Sequence, residues 1–147
     1  MRVAVDTNVL AYAEGIGEQA KRNVSLDLLN RLSPESLLLP AQVLGELFRV
    51  LTGKANCTPD MARSRVQQWA DSFEVADSSW VAFQAAFDLT VDHGLQIWDA
   101  LILAVTAEQR CRILLSEDMQ HGFTWRGVTV VNPYHQSVHP LIKSIFA

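Results

Sequence analysis

Short apolar runs alternate along this chain with longer stretches in which apolar residues recur every three or four positions. Runs rich in Val and Leu that end at polar residues or proline predict buried strands, and the longer amphipathic stretches predict helices. Because helical stretches separate most of the predicted strands, the pattern indicates an α/β fold with a mostly parallel sheet. The predicted strands cover residues 3–5, 37–39, 73–76, 112–116 and 128–131.

Residues that commonly begin or end helices bound the predicted helical stretches. Thr58 followed by Pro59 is typical of an N-cap and first helical residue, and Gly53 and Gly94 stand where helices would stop. Residues 1–133 are expected to form the core of a single domain of residues 1–147, with 134–147 as a C-terminal tail or helix turn. The predicted helices cover residues 18–32, 41–51, 58–69, 78–91 and 96–105.

Composition narrows the class of protein. Apolar residues make up 49% of the chain and charged residues 19%, which suits a globular domain and argues against a disordered one. The longest apolar run, residues 100–105, is far shorter than the roughly 18 residues that suggest a membrane span. Residues 1–10 also lack the features of a signal peptide. We therefore expect a cytoplasmic protein without membrane contacts, in which Cys57 and Cys111 are free thiols.

Charge narrows the possible substrates. The net charge is -4, so the chain has no overall basic field with which to hold nucleic acid. A polyanionic substrate would therefore need local cations, supplied by bound metal or by clustered Arg and Lys.

Four acids stand where the pattern makes a functional role plausible. Asp6 follows the first strand and Asp118 follows the strand at 112–116, and the carboxyl ends of parallel strands meet in one crevice. Asp99 falls in the first turn of an apolar helix, and Glu46 interrupts another. Three of the four have a structural alternative: Asp6 can fix a turn, Asp99 can complement a helix dipole, and Glu46 can pair with Arg49.

Together these acids point to metal chemistry. Carboxylates that converge repel one another, and some would take up protons unless a cation lay between them. Oxygen ligands favour hard ions such as Mg²⁺ or Mn²⁺ over zinc. Ions of this kind polarise phosphodiesters and activate water. The set therefore predicts hydrolysis of phosphodiester bonds.

Four motifs follow one another along the chain: VDTNVL at residues 5–10, Glu46, WDALI at 98–102 and LSED at 115–118. In this order they resemble the PIN domain, and within that family the VapC-type toxins of prokaryotic toxin–antitoxin modules. The resemblance runs from about residue 1 to residue 133 and implies a three-layer α/β/α fold around a mostly parallel sheet of about five strands. It also implies a Mg²⁺- or Mn²⁺-dependent endoribonuclease.

Carried over position by position, the resemblance implies a role for each matching polar residue. Gln120 stands where many relatives have an acid or Asn, and the participation of Glu117, Gln120 and His121 stays open. The implied metal-site acids are Asp6, Glu46, Asp99 and Asp118, supported by Thr7, Asn8 and Ser116.

The resemblance also implies partners. They are an RNA substrate, a cognate antitoxin that holds the toxin inactive, and a second copy of the chain in a homodimer, all in a prokaryotic cytoplasm. One alternative is a non-catalytic PIN-fold module that binds RNA or protein, although all four acids are intact. Another is an aspartyl phosphotransferase with Asp6 as nucleophile, which would require a second Asp where Asn8 stands.

Overall fold

The computed structural model describes residues 1–146, and the side chains of 1–145; residue 147, the end of the predicted tail, lies outside the described residues. The strands are β1 (Val3–Val5), β2 (Leu37–Pro40), β3 (Glu74–Ala76), β4 (Ile113–Leu115), β5 (Thr124–Trp125) and β6 (Val128–Val131). The helices are α1 (Thr7–Ala13), α2 (Gln19–Arg31), α3 (Ala41–Gly53), α4 (Pro59–Ser72), α5 (Trp80–His93), α6 (Ile97–Glu108) and α7 (Pro140–Phe146).

The strands form one sheet in the order β3-β2-β1-β4-β6-β5. All neighbouring strands pair in parallel except β5 and β6, which pair antiparallel. Every residue of β1, β2 and β4 is buried. Successive strand residues face opposite sides of a sheet, so complete burial means that both faces are covered. This confirms the predicted α/β/α arrangement around a mostly parallel sheet.

Several predicted helix boundaries are confirmed by the contacts that cap them. The Thr58 hydroxyl accepts a hydrogen bond from the Met61 N–H at 3.2 Å, and Pro59 is the first residue of α4. Gly94 ends α5 in the left-handed conformation, with φ of 71°. Helix α3 ends at Gly53. None of the helices among the described residues is long and apolar enough to cross a membrane, and both cysteines are free.

The structure adds a sixth strand to the five that the pattern predicts. Strand β5 has only two residues, Thr124–Trp125, which is too short to show a period of two. It turns back into β6 through Arg126 and Gly127, with φ of 46° and 81°. Two consecutive left-handed residues are typical of a tight hairpin turn, but Arg is an unusual first residue for one. The usual Asn-Gly or Asp-Gly signal is therefore missing.

The C-terminal segment is fastened to α2 by a pair of hydroxyl groups, of which the one on Ser25 is fully buried. Tyr134 and Ser25 place their hydroxyl oxygens 2.6 Å apart, and Ser25 also donates to the Lys21 carbonyl at 2.9 Å. Since Ser25 already donates to a carbonyl, its second bond is one that it accepts from Tyr134. Burial is also the main reason why the pKa of Tyr134 is raised, so this residue stays a neutral donor.

We expect Tyr134→Phe to lower the free energy of unfolding by about 1 kcal/mol, because it removes the donor to a buried hydroxyl. Urea denaturation followed by circular dichroism measures the change. Ser72→Ala is the control: the Ser72 hydroxyl bonds the Gln68 carbonyl on an exposed part of α4, and its loss should cost less than about 0.5 kcal/mol. Equal stability of Tyr134→Phe and the parent would show that this contact does not hold the tail.

Candidate active site

The site is built outward from Asp6, which lies between β1 and α1 and is 3% exposed. Strands β1 and β4 are neighbours with Val5 opposite Leu115, so Asp6 and Ser116 emerge side by side. The Ser116 hydroxyl donates to Asp6 Oδ2 at 2.7 Å, and the Thr7 N–H donates to Oδ1 at 2.7 Å. Asp6 therefore caps α1 and also presents its carboxylate at the carboxyl end of the sheet. The structural alternative for Asp6 holds, and its role in a metal site stays a prediction.

Asn8 and Ser116 connect Asp6 to Asp118. Asn8 Nδ2 lies 3.1 Å from Asp118 Oδ2 and 3.5 Å from Asp6 Oδ2, while its Oδ1 accepts the Glu117 N–H at 3.2 Å. The Ser116 hydroxyl accepts from the Asp118 N–H at 3.2 Å. The loop after β4 is therefore held against the start of α1 by side chains of both segments.

Glu46 reaches this cluster from α3. It accepts a hydrogen bond from the Thr7 hydroxyl and a second one, at 2.8 Å, from Gln42 Nε2. The alternative in which Glu46 pairs with Arg49 does not hold, because both carboxylate oxygens bond to residues on the site side. Thr7 thus supports Glu46 through its side chain and Asp6 through its backbone.

Asp99 enters from the first turn of α6. The N–H groups at the start of this helix are capped by the Gln96 side chain, whose Oε1 accepts from the Asp99 N–H at 3.0 Å and the Trp98 N–H at 2.9 Å. Among the described residues, none donates a hydrogen bond to the Asp99 carboxylate. That carboxylate therefore remains available to a ligand.

Burial and the neighbouring acids raise the pKa of two members of the cluster, Asp6 and Asp99. Burial is the largest cause of the rise for Asp6, and the nearby Asp99 and Glu46 add to it; the bonds from Ser116 and Thr7 oppose it, leaving a pKa of about 6. Burial also raises the pKa of Asp99, followed by the charges of Asp118 and Glu46. In the part of the chain that the structure describes, no Lys or Arg forms an ion pair with any of the four. The cluster therefore holds negative charge that the chain itself does not neutralise.

These carboxylates fit a hard divalent cation by their chemistry, since all the donors are oxygen. Across residues 1–146, however, no group of three or more His, Cys, Asp or Glu is arranged to hold a metal ion as the side chains stand. At least one carboxylate would have to rotate before three of them could share an ion.

The structure gives Glu117 partners outside this cluster. Lys21 Nζ lies 2.6 Å from its Oε2, and the Tyr12 hydroxyl donates to its Oε1. Burial raises the pKa of Glu117, but the hydrogen bonds from Lys21 and Tyr12 outweigh this and leave the pKa below its ordinary value. Both oxygens are already engaged, so the geometry favours an anchoring role for this acid.

In the described part of the chain, neither His121 nor Gln120 forms a hydrogen bond with any of the four acids. His121 Nδ1 accepts the Asn132 N–H at 2.9 Å, and its ring stacks on His135 with centroids 4.4 Å apart. These contacts join the loop after β4 to the C-terminal segment. Burial, followed by the charges of His135 and His139, lowers the pKa of His121. The Gln120 side chain is exposed and bonds to no residue that the structure describes.

Two glutamines belong to this site although the sequence did not single them out. Gln42 lies four residues before Glu46, a spacing at which helical Gln and acidic side chains meet. The sequence contained this spacing, but it is too common in helices to identify a residue of the site. Gln96 replaces the usual Ser, Thr, Asp or Asn at the N-cap of α6. The pairing of Lys21 with Glu117 had no sequence signal, because the two residues are distant along the chain.

A known protein family matches most of the chain. The family model described as PIN domain matches residues 3–122. No curated protein matches the chain by sequence.

Three solved structures share its fold at low sequence identity. One is a toxin–antitoxin complex from Klebsiella pneumoniae, with a TM-score of 0.69 and 19% identity over 90% of this chain and 98% of that one. Another is Mycobacterium tuberculosis VapC20, a Sarcin-Ricin loop cleaving toxin, with a TM-score of 0.66 and 19% identity over 79% and 91%. The third is FitAcB from Neisseria gonorrhoeae, with a TM-score of 0.67 and 19% identity over 90% and 99%. With its PIN match over most of its length, this chain belongs to the PIN domain family.

Proposed function

We propose that this protein is a metal-dependent endoribonuclease and the toxin of a toxin–antitoxin pair. The observation that carries the proposal is the convergence of Asp6, Glu46, Asp99 and Asp118 from four separate segments, where none of the described Lys or Arg residues forms an ion pair with them. The similarity to VapC and other toxin structures supports a toxin nuclease.

Asp6, Asp99 and Asp118 would hold Mg²⁺ or Mn²⁺, with Glu46 binding it directly or through water. When bound, such an ion neutralises charge on the scissile phosphate and activates water for attack. Products of this hydrolysis would carry 5′-phosphate and 3′-hydroxyl ends.

The chain's own polar residues prepare this site. The Ser116 hydroxyl and the Thr7 N–H hold one carboxylate oxygen each of Asp6, which limits its rotation. Asn8 holds Asp118 at a hydrogen-bonding distance of 3.1 Å. Side chains fixed in this way reach productive geometry without paying the full entropy of ordering.

An antitoxin partner and a homodimer also belong to the proposal. The Klebsiella structure is a toxin–antitoxin complex, and two further similar structures are VapBC2 from Rickettsia felis bound to a DNA fragment from their promoter and DNA-bound VapBC from Salmonella typhimurium. These complexes support a cognate antitoxin as a partner of this chain. The homodimer, and RNA in a prokaryotic cytoplasm as the target, are proposed on the family resemblance.

Expression of the chain in a bacterial host tests the proposal. Induction should arrest growth and produce discrete RNA fragments on a gel, whereas Asp6→Asn should do neither at equal protein level. Discrete fragments would also reveal the RNA class by their size. If the purified parent leaves total RNA intact with Mg²⁺ or Mn²⁺ present, the nuclease proposal is wrong, and a binding module becomes the better reading.

A further inference from the structure

Gln42 connects the two helices that carry Glu46 and Asp99. It is the second residue of α3, and its Nε2 donates one hydrogen bond to Glu46 Oε1 at 2.8 Å and another to the Trp98 carbonyl at 3.0 Å. Trp98 directly precedes Asp99 in the first turn of α6. One side-chain amide therefore fixes the start of α6 relative to a carboxylate of the acid cluster.

The oxygen of the same amide is left without a partner. Gln42 Oε1 is buried, and it accepts no hydrogen bond from any described residue. The neighbouring acceptors determine which end of the amide is the oxygen and which is the nitrogen. Turning the amide over would place Oε1 against the Glu46 carboxylate and the Trp98 carbonyl, which are both acceptors.

Solvent does not reach Oε1 either, because this oxygen is enclosed by the protein. The polar contacts of the amide are therefore those of Nε2, with the Glu46 carboxylate and with the Trp98 carbonyl. Gln42 can thus act on the acid cluster by holding Glu46 and the start of α6 in place.

We propose that Gln42 is a positioning residue of the metal site, and that the two hydrogen bonds of its Nε2 hold the Glu46 carboxylate against the start of α6, which carries Asp99. This inference rests on the proposed metal-dependent function. Residues that orient metal ligands in this way are important to affinity even though they do not touch the ion.

The test compares metal binding by two matched variants. Gln42→Met keeps the length of the side chain and removes both ends of the amide. Gln67→Met is the control, because Gln67 Nε2 donates to Asp71 Oδ1 at 2.9 Å across the same four-residue helical spacing on α4. Isothermal titration of metal-stripped protein with Mn²⁺ should give a dissociation constant about 10- to 100-fold weaker for Gln42→Met. The constant for Gln67→Met should equal that of the parent.

The outcomes separate this inference from the proposed function. If the parent binds Mn²⁺, Asp6→Asn does not, and Gln42→Met binds as tightly as the parent, the role of Gln42 is wrong while the metal site stands. If the parent itself binds no Mn²⁺, the metal-dependent function fails and the inference fails with it.

A second measurement needs no variant at Gln42 and covers the case in which Gln42→Met does not fold. In the parent, the side-chain amide resonances of Gln42 should shift as Mg²⁺ is added and saturate together with binding. The Gln67 resonances should stay unchanged. Gln42 resonances that do not move at saturating Mg²⁺ would overturn the proposal.

Discussion

Replacing Asp99 with Asn is expected to slow RNA cleavage by more than about 100-fold. Loss of a residue that only orients a metal ligand typically costs 10- to 100-fold, so loss of a direct ligand should exceed about 100-fold. Asp99 is suited to direct binding because none of the described residues donates a hydrogen bond to its carboxylate, while Asp118 and Glu46 lie close enough to raise its pKa. Asn has nearly the same shape and lacks the charge.

Cleavage of a labelled RNA by purified protein measures this effect. EDTA should abolish the activity of the parent and excess Mg²⁺ should restore it, whereas Asp99→Asn should stay slow at every Mg²⁺ concentration that saturates the parent. Asp88→Asn, at an exposed position on α5, should cut at the parental rate. A parental rate for Asp99→Asn would remove this residue from the metal site.

The second large effect concerns stability in the absence of metal. At neutral pH, the free energy of unfolding of Asp6→Asn is expected to exceed that of the parent by up to about 3 kcal/mol. Burial first, and then the charges of Asp99 and Glu46, raise the pKa of Asp6 from 3.8 to about 6 in the folded protein. A rise of about two units corresponds to about 3 kcal/mol, and Asn avoids that cost because it carries no charge to bury.

The direction of the pH dependence follows from the sign of this shift. A raised pKa means that the folded protein binds the proton more tightly than the unfolded chain does. The stability that Asp6 contributes is therefore fully present below pH 3.8 and is lost as the pH rises through about 6. Asp6→Asn does not lose stability in this way. Its free energy of unfolding should exceed that of the parent only slightly near the acidic end of this window and by the full difference at neutral pH.

Urea denaturation in EDTA, repeated across this pH window, measures the difference. Asp88→Asn again serves as the control and should follow the parent. Added Mg²⁺ should stabilise the parent and not Asp6→Asn, because a ligand that binds only the folded state raises its stability. If Asp6→Asn proved less stable than the parent at neutral pH without metal, Asp6 would not be an energetically costly charge in this fold.

The sequence by itself predicted the elements whose signals are local. Leu-rich runs ending at Pro40 or at Ser116 predicted strands, and Thr58, Gly53 and Gly94 marked helix ends that the structure confirms. A carboxylate at the end of a parallel strand can be located from pattern alone, because all such strands end at one edge of the sheet. Asp6 was found in this way.

Only the tertiary structure decided which side chains meet across the fold. Glu46 bonds to Thr7 rather than to Arg49, and Glu117 turns to Lys21 and Tyr12. Such pairs join residues far apart along the chain, and their positions carry no period that the sequence could show. Strand order and helix packing bring them together, so the four acids could be predicted as candidates, whereas the contacts made by Gln42, Gln96 and Lys21 could not.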